Sequence, residues 1–110
     1  MGVGEEADPR ADLVTIEILD KAEDDLVGGF AFYESQQAGL GAYFCESVSF
    51  DIESLRIHGG IHRIAYRNYH RALSRRFPVA IFYTVAGETV FIHGVVDCRR
   101  RPAWIKEHLT

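Results

Sequence analysis

Two runs of guanidinium groups carry most of the chemistry available to this chain. The stretch RALSRRFP (residues 71–78) places Arg71, Arg75 and Arg76 within six residues, and a second run supplies Arg99, Arg100 and Arg101. Guanidinium makes paired, directional hydrogen bonds to phosphate and to carboxylate, so both runs suit an anionic target. Metal-free RNA cleavage would need a base for the 2′-hydroxyl, a cation at the phosphate and an acid for the leaving oxygen. The cations are present in Arg75, Arg76, Arg99 and Arg100, and the candidate proton carriers are His93, His70, Tyr69 and His108. The catalytic set for such a reaction would be Arg75, Arg76, Arg99 and His93. His58 and His62 are four apart but straddle Gly59 and Gly60, which argues against a helical metal pair. The chain has no phosphate loop, nucleophile elbow or dinucleotide fingerprint, and neither a cofactor nor a metal is expected.

Those arginines must be positioned by the elements around them. Residues 13–19, LVTIEIL, are β-branched and partly alternating, and read as a strand. Asp20 is placed as an N-cap, with Glu23, Asp24 and Asp25 favouring a helix start through the helix dipole. Ala22, Leu26, Phe30 and Tyr33 form one apolar stripe that should fade near Gln37. After the breaker AGLG, a second helix carries a broad stripe of Leu40, Phe44, Val48, Ile52 and Leu55. Tyr43, Phe50 and Ile57 recur on a different side. The short link predicts an antiparallel helical hairpin, ended by Gly59 and Gly60. Three strands follow, over residues 69–77, 79–85 and 89–96, with AGE (residues 86–88) as a hairpin loop. VAIFYTV is apolar nearly throughout, which predicts a central strand covered on both faces. Pro102 suits the first turn of a closing helix.

The expected fold is therefore α+β, a small antiparallel sheet packed by a helical hairpin, in the order β-α-α-β-β-β-(α). Residues 1–12 read as a disordered tail and residues 13–110 as one domain, a size that supports its own core. If the last two strands pair as a hairpin, residue 97 lies near residue 78, and Arg99–Arg101 join Arg75 and Arg76 at one end of the sheet in a single cationic patch.

The totals sharpen that expectation. The net charge is −4, but residues 1–60 hold three cations against thirteen carboxylates, whereas residues 61–110 hold eight arginines and Lys106 against Glu88, Asp97 and Glu107. Such asymmetry points to a polyanion or an acidic partner, or to faces that neutralise one another within the fold. Cys45 and Cys98 read as reduced thiols rather than a disulfide framework, and no stretch is long and apolar enough to span a bilayer or act as a leader. A cytoplasmic protein is expected.

Order and motifs together resemble the RelE/ParE superfamily of toxin–antitoxin and plasmid-stabilisation modules, over roughly residues 13–106. The resemblance rests on A-x-x-D-L (Ala22, Asp25, Leu26), G-L-G (residues 39–41), R-R-F-P-x-x-I-x-Y (residues 75–83) and V-V-x-x-R-R-x-P (residues 95–102). G-L-G and R-R-F-P look more like ParE than like RelE. Resemblance to ParE implies a toxin that inhibits DNA gyrase by binding it. A cognate antitoxin would neutralise it by laying an amphipathic segment on Tyr43, Phe50 and Ile57, or these residues are plain core. Target contact would fall to Arg71, Arg75, Arg76, Arg99, Arg100, Arg101 and Trp104, with Trp104 otherwise closing the core. Resemblance to RelE implies a ribosome-dependent mRNA endoribonuclease, and a non-toxic interaction module on the same scaffold is the third alternative. A homodimer or a toxin–antitoxin hetero-oligomer is the expected assembly. Asp97 stands where family members often have His, and a carboxylate there would repel RNA phosphate and pair with an arginine instead.

Overall fold

A computed structural model describes residues 14–58 and 64–110. The tail (residues 1–12) and the terminating Gly59 and Gly60, together with His62, lie outside the described residues. Strand β1 (Thr15–Ile18) leads into helix α1 (Asp20–Gln36). The chain turns into α2 (Leu40–Glu53) and the short α3 (Leu55–His58), then forms β2 (Ile64–Tyr66), β3 (Tyr69–Leu73), β4 (Val79–Ala86) and β5 (Thr89–Asp97). Helix α4 (Pro102–Leu109) closes it, with Pro102 in the first turn as its fixed φ and missing N–H predict.

The five strands lie in the order β1-β5-β4-β3-β2. The α+β class, the helical hairpin and the β4–β5 hairpin are as expected, but the sheet is mixed. β1 pairs parallel to β5, Thr15 opposite Thr89 through Ile18 opposite Ile92, and all other pairs are antiparallel. Local alternation marks β1 as a strand; only the return of the chain after the whole hairpin decides which neighbour it meets. Leu19 continues that pairing by donating its N–H to the Ile92 carbonyl at 3.0 Å. Leu19 is thus held extended as the N-cap, and Asp20, expected there, becomes the first helical residue. Asp20 and Glu23 still lie in the first turn, where negative charge complements the dipole.

Glycine explains the tight hairpin. Gly39 sits at φ 90°, in the left-handed region, and its N–H and that of Gly41 donate to the Glu34 carboxylate at 3.0 and 2.9 Å. A Cβ on Gly41 would stand 2.7 Å from the Phe30 carbonyl oxygen, so the helices close to contact only because it is absent. Ala22, Leu26, Gly29 and Tyr33 form the inner face of α1, because the Phe44 ring occupies the space a Gly29 Cβ would need. Phe30, expected in that stripe, is instead exposed. On α2, Phe44, Val48 and Ile52 are buried as predicted, with Leu55 of α3 behind them. The second helix is broken at Ser54, whose hydroxyl donates to the Asp51 carbonyl at 2.7 Å and so competes with the helical backbone.

Residues Val79, Ala80, Ile81, Phe82 and Tyr83 of β4 are all buried, the two-sided cover its apolar run predicts. Val79, Ile81 and Tyr83 face the helical hairpin; Ala80 and Phe82 face α4 with Val96 and Leu109. Burial raises the Tyr83 phenol to about 12. A bulge between Phe82 and Tyr83, paired with Gly94 and Ile92, leaves His93 as the extra residue of β5. Ile92 and Val95 therefore both face the hairpin although they are three apart. The loop between these strands is two residues, Gly87 and Glu88, since Ala86 already pairs with Thr89.

Candidate functional site

Strand β3 ends at Leu73 rather than running to residue 77. The cause is Asp51, a buried carboxylate of α2, 9% exposed. It accepts the Ser74 hydroxyl at 2.9 Å and the Arg75 N–H at 3.3 Å, which pulls the chain off the ladder. Phe77 then anchors the loop against the hairpin, its ring centroid 4.8 Å from Tyr33, 5.1 Å from Phe44 and 5.5 Å from Tyr43. Aromatic pairs at these separations add to the burial of the rings themselves. The arginines of R-R-F-P thus ride on a loop fastened to α2, not on alternating faces of a strand. A groove of about 340 Å³ separates this loop from α2, lined by Arg75, Arg76, Tyr43, Phe50, Glu46 and Asp51. Arg76 donates to the Tyr43 hydroxyl at 2.9 Å and lies over its ring at 5.9 Å.

The second arginine run leaves β5 at the same end of the sheet, as the hairpin predicts: Val79 pairs with Asp97 and the Cys98 N–H donates to the Pro78 carbonyl at 3.0 Å. The two runs nonetheless serve different surroundings. Arg99 folds back on Asp97, its Nε and Nη2 donating to the two carboxylate oxygens at 2.9 and 2.7 Å, with its own N–H adding a third bond at 2.8 Å. These hydrogen bonds, the side-chain ones first, hold the Asp97 carboxyl down to about 2. The arginine partner expected for Asp97 is therefore Arg99. Arg100 turns the other way and stacks over the Trp104 ring at 4.3 Å. Trp104 stacks in turn on His108 at 4.7 Å, and His108 Nε2 contacts the Asp25 carboxylate at 3.0 Å. Trp104 is 37% exposed, so it forms part of a surface ladder rather than sealing the core. It borders a second groove of about 320 Å³, with Phe32, Tyr33, Val96, Asp97 and Arg100.

Arg71 faces α4, since Arg71 pairs with Phe82 on that side of the sheet. Together with Arg100 and Lys106 it lines a third cavity, of about 280 Å³. Arg101 is exposed at the N-cap of α4. His93 lies mid-sheet, hydrogen-bonded to the Thr84 hydroxyl at 2.8 Å and edge-on to Tyr69 at 4.9 Å. Burial lowers its pKa, so the neutral ring is favoured. His70 stacks on Tyr83 at 5.1 Å, on the hairpin face. The arginine runs and His93 are not gathered around one reacting centre. Tyr43, Phe50 and Ile57 are 42%, 65% and 69% exposed, so this stripe is surface, carried on α2 and, for Ile57, on α3.

Sequence reasoning missed Asp51 and the inward role of Asp25, whose Oδ2 also accepts the Val95 N–H at 2.9 Å. A carboxylate on an otherwise apolar helical face was the available signal for Asp51. Among the described residues no cluster of His, Cys, Asp and Glu is arranged to hold a metal ion, and no helix is long and apolar enough to cross a membrane.

No family model matches the chain, and no curated protein matches it in sequence. Its structure is similar to a chain of the chromosomal ParDE toxin–antitoxin system from P. aeruginosa, with a TM-score of 0.71 and 15% sequence identity, over 77% of this chain and 96% of that one. The two chains share a fold.

Proposed function

We propose that this chain is the toxin of a toxin–antitoxin pair, acting in the cytoplasm by binding DNA gyrase and neutralised by a cognate antitoxin. The observation that carries the reading is the outer side of α2. Tyr43 and Phe50, with Ile57 beyond them, are large apolar side chains left in water by a fold otherwise similar to a ParDE chain. An exposed apolar stripe rimmed by Arg75, Arg76 and Glu46 suits an amphipathic segment laid along the helix. The ladder of Arg100 and Trp104 supplies the arginine and tryptophan pair that commonly anchors protein interfaces, and serves the target.

Binding explains the geometry better than RNA cleavage does. A nuclease needs base, acid and phosphate-binding cation around one phosphate. Here Arg99 is clasped by Asp97 and His93 is held by Thr84 within the sheet. The test is induced expression alongside a supercoiling assay with pure protein and gyrase. The expected result is inhibited supercoiling with intact mRNA, relieved by the product of the adjacent reading frame. Codon-positioned mRNA cuts with unimpaired gyrase would overturn it, as would normal growth with both readouts unchanged.

A further inference from the structure

Helix α4 is fastened to the body of the molecule at its C-terminal end. Leu109 is buried with Ala80, Phe82 and Val96. The carbonyls of a last helical turn have no partner within the helix. Here the His108 carbonyl accepts from the Lys21 ammonium of α1 at 2.6 Å, and the Leu109 carbonyl from the Tyr69 hydroxyl of β3 at 3.1 Å. A further tie comes from Asp25 of α1. Its Oδ2 accepts the Val95 N–H at 2.9 Å, and His108 Nε2 stands 3.0 and 3.1 Å from its two oxygens. Facing a carboxylate, Nε2 carries the proton and donates. The His108 and Asp25 side chains are 21% and 14% exposed. Gly94 makes the fit possible, since a Cβ there would stand 3.1 Å from Leu109 Cδ2 and 3.4 Å from Asp25 Oδ2. One turn earlier on α4, Trp104, the chain's only tryptophan, lies nearly parallel to the His108 ring, at 11° and 4.7 Å.

We infer that Asp25 is a positioning residue for the surface that meets the target: through His108 it fixes the direction of the Trp104 indole. This rests on the reading of Trp104 as a target contact. The Val95 bond by itself straps α1 to β5, and Leu109, Lys21 and Tyr69 already hold the end of α4. An apolar side chain at position 108 would fill the space without the desolvation that the Asp25–His108 pair bears. What the pair adds is direction. An imidazole pinned at Nε2 to two oxygens presents its ring in one orientation, and the indole stacked on it takes its own from that ring. Trp104 is 37% exposed and lines the groove it shares with Phe32 and Tyr33. An unsupported side chain there samples several rotamers, and freezing them on association weakens an interface. A tryptophan held in advance avoids that loss, which matters most for an anchor of this kind. The order of action is Asp25, His108, Trp104, and only the last touches the target.

Trp104 is its own reporter, because no other tryptophan contributes to the emission. Time-resolved fluorescence anisotropy of the full chain reads the local motion of the indole, and gyrase supercoiling with pure protein reads the target contact. In the wild type the indole is expected to turn with the whole protein. Asp25→Ala and His108→Phe should each add a fast local decay, the second although a ring remains at 108 and the Asp25–Val95 bond is untouched. Asp25→Asn should retain the slow decay, because its amide still accepts the Val95 N–H and donates to a His108 tautomer that accepts at Nε2. Circular dichroism identifies the folded variants, and His108→Phe decides the matter if Asp25→Ala does not fold. Half-inhibition of supercoiling should need about tenfold more of either variant, as of Trp104→Ala, and Asp25→Ala combined with Trp104→Ala should lose nothing further. Wild-type anisotropy in the folded Asp25→Ala and His108→Phe variants would overturn the inference. So would additive losses in the double variant, or full inhibition by a variant whose indole has been freed. A wild-type chain that leaves gyrase unaffected refutes the gyrase reading, and the anisotropy by itself then upholds or overturns Asp25 as the residue that holds the ring.

Discussion

Replacing Asp51 with alanine isolates the contact that sets the R-R-F-P loop in place. The carboxylate is buried and holds the Ser74 hydroxyl at 2.9 Å and the Arg75 N–H at 3.3 Å. Net contributions of hydrogen bonds to charged groups run at about 1.5–3 kcal/mol each, and the longer bond belongs at or below the bottom of that range. Ser74 is only half-buried, so water recovers part of the loss. The expected destabilisation is roughly 2–3 kcal/mol, which for a domain of this size lowers the melting temperature by on the order of 10 °C. Urea denaturation of Asp51→Ala, Ser74→Ala and the double variant measures it. The coupling between the two positions should be about 1 kcal/mol, because they share a bond. Asp51→Asn keeps one acceptor oxygen and should lose less. If Asp51→Ala were destabilised by less than about 0.5 kcal/mol, the ordinary range for an uninvolved surface change, the account of why β3 stops at Leu73 would be wrong.

Three further outcomes follow from the same geometry. The Asp97 carboxyl is held near 2, below its usual 3.8, so its clasp on Arg99 stabilises the fold above the unfolded carboxylate's pKa and is lost as pH falls from about 3.8 towards 2. The urea midpoint of Asp97→Asn should therefore lack that pH dependence, and the wild-type effect should shrink in high salt because the pair is exposed. Gly41→Ala forces a Cβ to within 2.7 Å of the Phe30 carbonyl oxygen, and should cost about 1–3 kcal/mol in denaturant unfolding as the helices are pushed apart. Phe50→Glu, at a side chain 65% exposed, should change stability by no more than about 0.5 kcal/mol yet abolish neutralisation by the proposed antitoxin in a co-expression growth assay.

The boundary between what was legible and what was not follows the range of the interactions. Periodicity and punctuation are local, so the helical hairpin, the buried run of β4, the two-strand hairpin and Pro102 at the start of α4 were all readable before any coordinates. The recurrence of Tyr43, Phe50 and Ile57 on a second side of the helix was visible for the same reason, but only the structure shows that this side is surface and not core. Pairing that closes over long chain distances was not legible. β1 lies beside β5, seventy-odd residues away, and runs parallel to it. Asp51 reaches Ser74, and Asp25 reaches Val95 and His108, from the other side of the chain. Those carboxylates hold the chain where β3 stops and where α4 packs, so that Arg75 and Arg76 line one groove while Arg71 and Arg100 line others. A residue's type states which bonds it can form; only packing brings a partner within about 3 Å and excludes the water that would otherwise take its place.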